Sequence, residues 1–98
     1  VLRGGDGCVA GLSNFAPEVA SGYADRARRE DLAGMQEYQK KIDELMAIYD
    51  VAPQFVPVIK KAMEVRGVKM KPFCAPPVLP ATEEGTESIR RILAEAGL

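Results

Sequence analysis

The chain has 98 residues, with 13 Lys and Arg against 14 Asp and Glu, no His, no Trp and two Cys. This length fits one ordinary domain, and a net charge of −1 with a pI near 5.5 gives no electrostatic basis for binding DNA or RNA. Without His, the chain cannot build a Cys/His zinc site, a Ser-His-Asp triad or a Cys-His dyad from its own residues.

The first predicted elements are a turn, a strand and a helix. Residues 4–7 are Gly-Gly-Asp-Gly, and the apolar run after them predicts a strand over about 7–12 that is buried on both faces, as in parallel sheets. Pro17 suits the first turn of a helix and Glu18 suits its positive end, so a helix is predicted over about 17–28. Because Val1-Leu2-Arg3 offers neither an initiator Met nor a signal peptide, we expect the sequence to continue upstream.

Apolar residues at spacings of three and four predict three further helices, which cover about 31–50, 55–66 and 82–96. Glu30 or Asp31 caps the first of these, Gly67 ends the second, and Thr82 caps the third. Residues 67–81 hold four of the seven prolines, which excludes a helix or a central strand there. Because this segment is also apolar, we expect it to pack along a surface.

A single strand among four helices lacks partners for its backbone. Burying an unpaired N–H or C=O group costs about 1–3 kcal/mol. The pairing strands must therefore come from a second copy that exchanges the segment, or from a larger α/β protein. The start at Val1 favours the second explanation.

Several positions agree in order and spacing with a known family. The segment Gly4–Ala10, followed by Asn14 and Pro17, precedes a series of further matches. These matches are Arg29–Asp31, Lys60, Gly67, Pro77, Pro80 and Ala96–Leu98. Together they resemble the eighth-strand region and the tail of the dihydrodipicolinate synthase/N-acetylneuraminate lyase family, over the whole chain but about the last third of a family subunit.

The resemblance implies an α/β fold, a (β/α)₈ TIM barrel to which this mostly α-helical chain contributes strand 8, helix 8 and the C-terminal helices. Residues 1–98 would then be the C-terminal part of a single TIM-barrel domain. The implied chemistry is that of class I aldolases, in which a lysine forms a Schiff base with pyruvate or another 2-oxo acid. A barrel of this kind needs about 250 residues. The catalytic Lys, Tyr and Thr/Ser pair would therefore precede residue 1, and we assign no catalytic residue, cofactor or metal ligand to this chain.

The resemblance also implies two substrate-binding residues, Ala10 and Gly11, because their positions lie beside the substrate in the lyase branch. Their small size would leave room and exposed backbone groups for the substrate tail. Sialic-acid lyases usually carry Ser at the position of Gly11, and dihydrodipicolinate synthases often carry Arg at that of Ala75. The substrate therefore stays open among dihydrodipicolinate synthase-like chemistry and a hydroxy-oxo acid or sugar-acid aldolase or dehydratase.

Family members are commonly cytoplasmic tetramers, which implies a cytoplasmic homo-oligomer. The implied partners are the remainder of the barrel and a small 2-oxo acid, with neither nucleic acid nor a membrane among them. Two Cys are too few for a disulfide framework, which also fits a reducing compartment.

Ordinary structural roles are expected for the other reactive side chains. Lys60, with Glu64 four residues beyond it, and Lys61 are predicted to be surface or structural lysines. Cys8 is predicted to be a small buried hydrophobe, and the three tyrosines occur at core spacing. The alternative to an enzyme is a non-enzymatic helical interaction module. A helical segment 8–12, or a self-contained bundle without β-pairing, would count against the aldolase interpretation.

Overall fold

The computed structural model describes residues 4–98, in which four α-helices and two short 3₁₀-helices follow one another. The α-helices are α1 (Pro17–Arg28), α2 (Leu32–Leu45), α3 (Phe55–Val65) and α4 (Glu83–Glu95). The 3₁₀-helices are Gly11–Asn14 and Met46–Asp50, and the second of them continues α2 to the end of the predicted span 31–50.

The strand predicted over 7–12 is not formed within residues 4–98. Residues 5–10 have no regular structure, and a 3₁₀-helix begins at Gly11. Ala10 keeps the extended backbone of a strand, with φ −114° and ψ 125°. The reason is that a strand exists only in a ladder, and no second strand occurs among the described residues. Cys8 is accordingly exposed, not buried as predicted.

Local chemistry accounts for the helix starts. Pro17 opens α1 and Glu18 lies in its first turn. Asp31, not Glu30, caps α2 by accepting a hydrogen bond from the Gly34 N–H at 3.0 Å. The Thr82 hydroxyl likewise accepts from the backbone N–H of the third residue of α4, at 3.0 Å.

Three helices end in the same Schellman motif, in which two successive N–H groups bond back to carbonyls of the last turn. The residue after the helix cap has positive φ in each case: Gly67 (98°) at α3, Gly97 (82°) at α4 and Glu30 (54°) at α1. The bonds of Gly67 to Glu64 and of Glu30 to Ala27 are 2.9 and 3.1 Å long. Only α1 uses a residue with a Cβ at this left-handed position.

The core joins all four α-helices and both 3₁₀-helices. Its buried members are Leu12, Phe15, Ala16, Val19, Leu45, Ile48, Val58, Ile59, Ala62, Ile89, Leu93 and Ala96. α1 packs against α2, and α3 packs against α4. Where α1 meets α2, the Tyr38 ring lies directly on Gly22. The contact is so close that a Cβ at position 22 would overlap the ring.

The proline-rich segment is held near its middle and exposed along most of its length. Residues 68–81 contain neither helix nor strand, as their prolines require. Lys60 donates to the Phe73 carbonyl at 2.6 Å, and Cys74 beside it is buried. Phe73 and Leu79 nevertheless expose 67% and 78% of their surface. Packing of this segment along a surface is therefore only partial.

The described residues are more extended than a compact domain of the same size. Their radius of gyration is 14.4 Å and their longest dimension is 43 Å, against a radius of about 13 Å for a compact domain of 100 residues. Of the helices described, not one combines the length and the apolar character that crossing a membrane requires.

Candidate functional site

The two predicted substrate-binding residues lie where the extended N-terminal segment turns into the first 3₁₀-helix. Ala10 and Gly11 are both half-buried. The Ala10 carbonyl accepts a hydrogen bond from the Ser13 N–H, and the Gly11 carbonyl accepts one from the Asn14 amide, each at 3.1 Å. These local bonds explain why the chain bends sharply at this point.

The bend is fixed to the helical core on its other side. Phe15 is 2% exposed, and its carbonyl accepts a hydrogen bond from Arg66 Nη1 at 2.8 Å. The same guanidinium group forms an ion pair with Glu18 in the first turn of α1. A charge-assisted bond of this kind ties the end of α3 to the segment that carries Ala10 and Gly11.

Tyr49 occupies the space beside Gly11. A Cβ added at Gly11 would overlap the Tyr49 hydroxyl and lie 3.5 Å from Tyr49 Cζ and 3.8 Å from Ile59 Cδ1. Gly11 is therefore required for the close approach of this phenol, not for an empty space. The helical spacing of Tyr49 predicts a core residue, and no local pattern links two residues that lie 38 positions apart in the chain.

A second aromatic residue extends this wall. The rings of Tyr49 and Phe55 have centroids 6.3 Å apart and are tilted by 46°, within the range of favourable aromatic pairs. Phe55, the first residue of α3, exposes 57% of its surface. Gly11, Tyr49 and Phe55 thus form one continuous patch, which we call the aromatic corner.

An open groove of about 990 Å³ runs between the N-terminal segment and the faces of α1 and α2. Its walls include Cys8, Ala10, Leu12, Ala20, Ile42 and Met46. Val9, in the same segment, is fully exposed. The predicted strand therefore presents apolar side chains that no described residue covers.

The lysines of residues 4–98 do not provide an amine nucleophile. Lys61 pairs with Glu64 at 2.9 Å, whereas Lys60, for which that partner was predicted, donates to a backbone carbonyl. None of the described charged residues is buried, and a Schiff-base lysine needs an apolar pocket. No cluster of three or more His, Cys, Asp or Glu side chains that could hold a metal ion occurs within residues 4–98.

Comparison with known proteins shows which family this chain belongs to. The model of the dihydrodipicolinate synthetase family matches residues 1–96. The chain belongs to this family. The resemblance seen in the sequence is therefore confirmed.

The relatives are longer proteins with related names. The probable 2-dehydro-3-deoxy-D-pentonate aldolase YjhH of Escherichia coli (strain K12) is 37% identical over 98 residues, which are 100% of this chain and 33% of that protein. A DapA-like lyase of Thermofilum pendens is 35% identical over the same shares of the two chains. The provisionally named 2-dehydro-3-deoxy-D-gluconate aldolase YagE of E. coli (strain K12) is 29% identical over 98 residues, 32% of its length. No solved structure matches the chain significantly.

The chain thus spans about a third of the length of the curated relatives it matches. Residues 4–98 show no β-pairing, the outcome expected to count against the aldolase interpretation, but the family match over residues 1–96 supports that interpretation at the level of the family. A strand needs the N–H and C=O groups of a neighbouring strand, and no described residue of this chain supplies them.

Proposed function

We propose that this chain is the C-terminal part of a Schiff-base-forming lyase or aldolase that acts on pyruvate or another 2-oxo acid. The observation that carries the proposal is the family match over residues 1–96 in a chain that spans one third of its relatives. The fully exposed Val9 and the uncovered groove beside it support the remainder of a (β/α)₈ barrel as the partner of this surface.

The names of two relatives favour a sugar-acid aldolase over the other reactions left open by the sequence. YjhH and YagE are named for 2-dehydro-3-deoxy-pentonate and 2-dehydro-3-deoxy-gluconate. Cleavage of such an acid breaks its C3–C4 bond. The C4 hydroxyl loses its proton and becomes an aldehyde, while C3 keeps the electron pair, is protonated and leaves as part of pyruvate. A lysine Schiff base at C2 stabilises the electron pair during this step.

In this proposal the chain contributes one wall of the site and no reacting group. Ala10 and Gly11 lie at the C-terminal end of the predicted strand, the end that faces the active site in such barrels. The lysine, the proton-relaying tyrosine and the Thr/Ser pair belong to the part of the protein that precedes residue 1. We propose further that the protein is a cytoplasmic homo-oligomer that needs no cofactor.

Borohydride trapping tests this proposal. The full-length protein that contains this chain is incubated with pyruvate, reduced and analysed by mass spectrometry. We expect a single pyruvate adduct on a lysine upstream of residue 1, and no adduct on the 98-residue chain treated in the same way. An adduct on Lys60 or Lys61, or a full-length protein that forms none, would refute the proposed division of labour.

A further inference from the structure

Two tyrosines of this chain lie directly on glycines, and their surroundings differ. The Tyr38 ring covers Gly22 in the α1–α2 interface. Tyr49 covers Gly11 in the aromatic corner, next to an exposed aromatic ring. The first contact therefore belongs to helix packing, whereas the second lies at the proposed substrate wall.

The Tyr49 hydroxyl has no partner among residues 4–98. None of the side-chain hydrogen bonds of the described residues involves it. No buried side-chain oxygen of these residues lacks a partner, so the hydroxyl must be open to solvent. A hydroxyl without a partner among residues 4–98 is available to a ligand at this position.

The backbone carbonyls at this position already accept hydrogen bonds. The carbonyls of Ala10 and Gly11 each accept a hydrogen bond from within the bend. Ile59, the remaining neighbour of Gly11, is apolar and 7% exposed. Tyr49 is thus the side chain beside Gly11 that can recognise a polar group by a hydrogen bond.

We propose that Tyr49 is a specificity-determining residue whose hydroxyl hydrogen-bonds a hydroxyl group in the substrate tail, beyond the pyruvate portion. The proposal rests on the proposed function, because it takes the position of Gly11 beside the substrate from it. Gly11 then has a physical role: only a residue without a Cβ lets the Tyr49 phenol reach the substrate wall.

In the aldol direction of the reaction, the aldehyde supplies the tail of the product, so the tail can be varied while pyruvate stays the same. A bond forms between C3 of pyruvate and the carbonyl carbon of an aldehyde, and the carbonyl oxygen takes the proton that C3 gives up. Glycolaldehyde brings one tail hydroxyl to this reaction, and acetaldehyde brings none. The ratio of kcat/KM for glycolaldehyde to kcat/KM for acetaldehyde therefore measures recognition of that hydroxyl.

The test compares two conservative variants in the full-length protein that contains this chain. Tyr49→Phe removes only the hydroxyl, and we expect the ratio to fall about three- to tenfold, the usual effect of losing one neutral hydrogen bond. Tyr38→Phe is the matched control, because it also removes a hydroxyl that lies over a glycine, and its ratio should equal that of the wild type. An unchanged ratio in Tyr49→Phe, or an equal fall in both variants, would overturn the inference.

Two additional measurements separate the causes of failure. Gly11→Ala displaces the phenol without altering it, so we expect a similar fall in the ratio, and little further fall in the Gly11→Ala/Tyr49→Phe double variant. Borohydride trapping with pyruvate is independent of the aldehyde. If the wild type forms no adduct, the proposed function fails and this inference fails with it. If the adduct forms and the ratio does not respond to Tyr49→Phe or Gly11→Ala, the inference alone is wrong.

Discussion

Residues 4–10 and the four α-helices differ in whether their backbone N–H and C=O groups find hydrogen-bond partners. The helices bond internally, α2 and α4 begin at side-chain caps, and all four share a buried core in which Leu45, Ile48 and Ile89 are fully enclosed. Residues 5–10 have no regular structure, and Val9 is fully exposed. The comparison shows that the helical part satisfies its backbone and buries its apolar faces with described residues, whereas residues 5–10 find no such partners among residues 4–98.

The largest expected effect is at Val9, where a substitution should act differently on the full-length protein and on the 98-residue chain. If the predicted strand forms in the full-length protein, Val9→Asp places a carboxylate in a strand buried on both faces, and we expect a loss of about 3–5 kcal/mol or more in the free energy of unfolding. In the 98-residue chain the same change should leave the helical circular dichroism signal and its urea midpoint unaltered, because position 9 contacts solvent.

Val9→Thr provides the control, since it keeps the branched shape and the strand propensity of valine. It should cost far less than Val9→Asp in the full-length protein. Equal tolerance of both changes there would mean that the segment stays exposed in the whole protein, and that the predicted strand does not form.

A smaller effect is expected inside the helical part, and it should not depend on the rest of the protein. Leu45 is fully buried at the end of α2, so Leu45→Ala should cost about 2–5 kcal/mol in both the 98-residue chain and the full-length protein. Leu32, at the start of the same helix, is 59% exposed, and Leu32→Ala should cost much less in the 98-residue chain. Urea denaturation of both variants would measure this difference. Equal losses would show that the cluster around Leu45 is not the core that holds the helices together.

The helices could be predicted from the sequence because their determinants are local. Thr82 and Asp31 mark helix starts, Gly67 and Gly97 mark helix ends, and apolar spacing supplies the buried faces. The strand predicted over 7–12 is not formed, because the prediction rested on an apolar run alone and no described residue offers a second strand to pair with it. The family match confirms the resemblance read from the sequence, and the chain spans about a third of the length of the relatives it matches.

The aromatic corner could not be predicted, because tertiary packing brings its parts together. Tyr49 and Tyr38 both occur at core spacing in the sequence, and both are half-buried against the core in the structure. The sequence pattern therefore does not distinguish them. What separates the two tyrosines is the glycine that each contacts, and that contact depends on how the bend at residues 10–16 packs on α3. The pairing of Lys61 and not Lys60 with Glu64 has the same origin, since Lys60 instead bonds the carbonyl of the proline-rich segment.

The smallest expected effect concerns the end of α1. It should raise the free energy of unfolding of the helical part and leave the N-terminal segment unaffected. Glu30 holds a left-handed backbone (φ 54°) at the position that Gly67 and Gly97 fill in α3 and α4. This conformation costs a residue with a Cβ about 1–2 kcal/mol relative to glycine in the folded state. Glycine also gives the unfolded chain more conformational entropy, which offsets part of this gain in stability. Glu30→Gly should therefore raise the free energy of unfolding by about 0.5–1 kcal/mol in both the 98-residue chain and the full-length protein, seen as a higher urea midpoint at an unchanged slope. Glu30→Ala removes the charge but keeps the Cβ, so it should not reproduce this gain. If it does, the gain comes from the carboxylate and not from the backbone conformation.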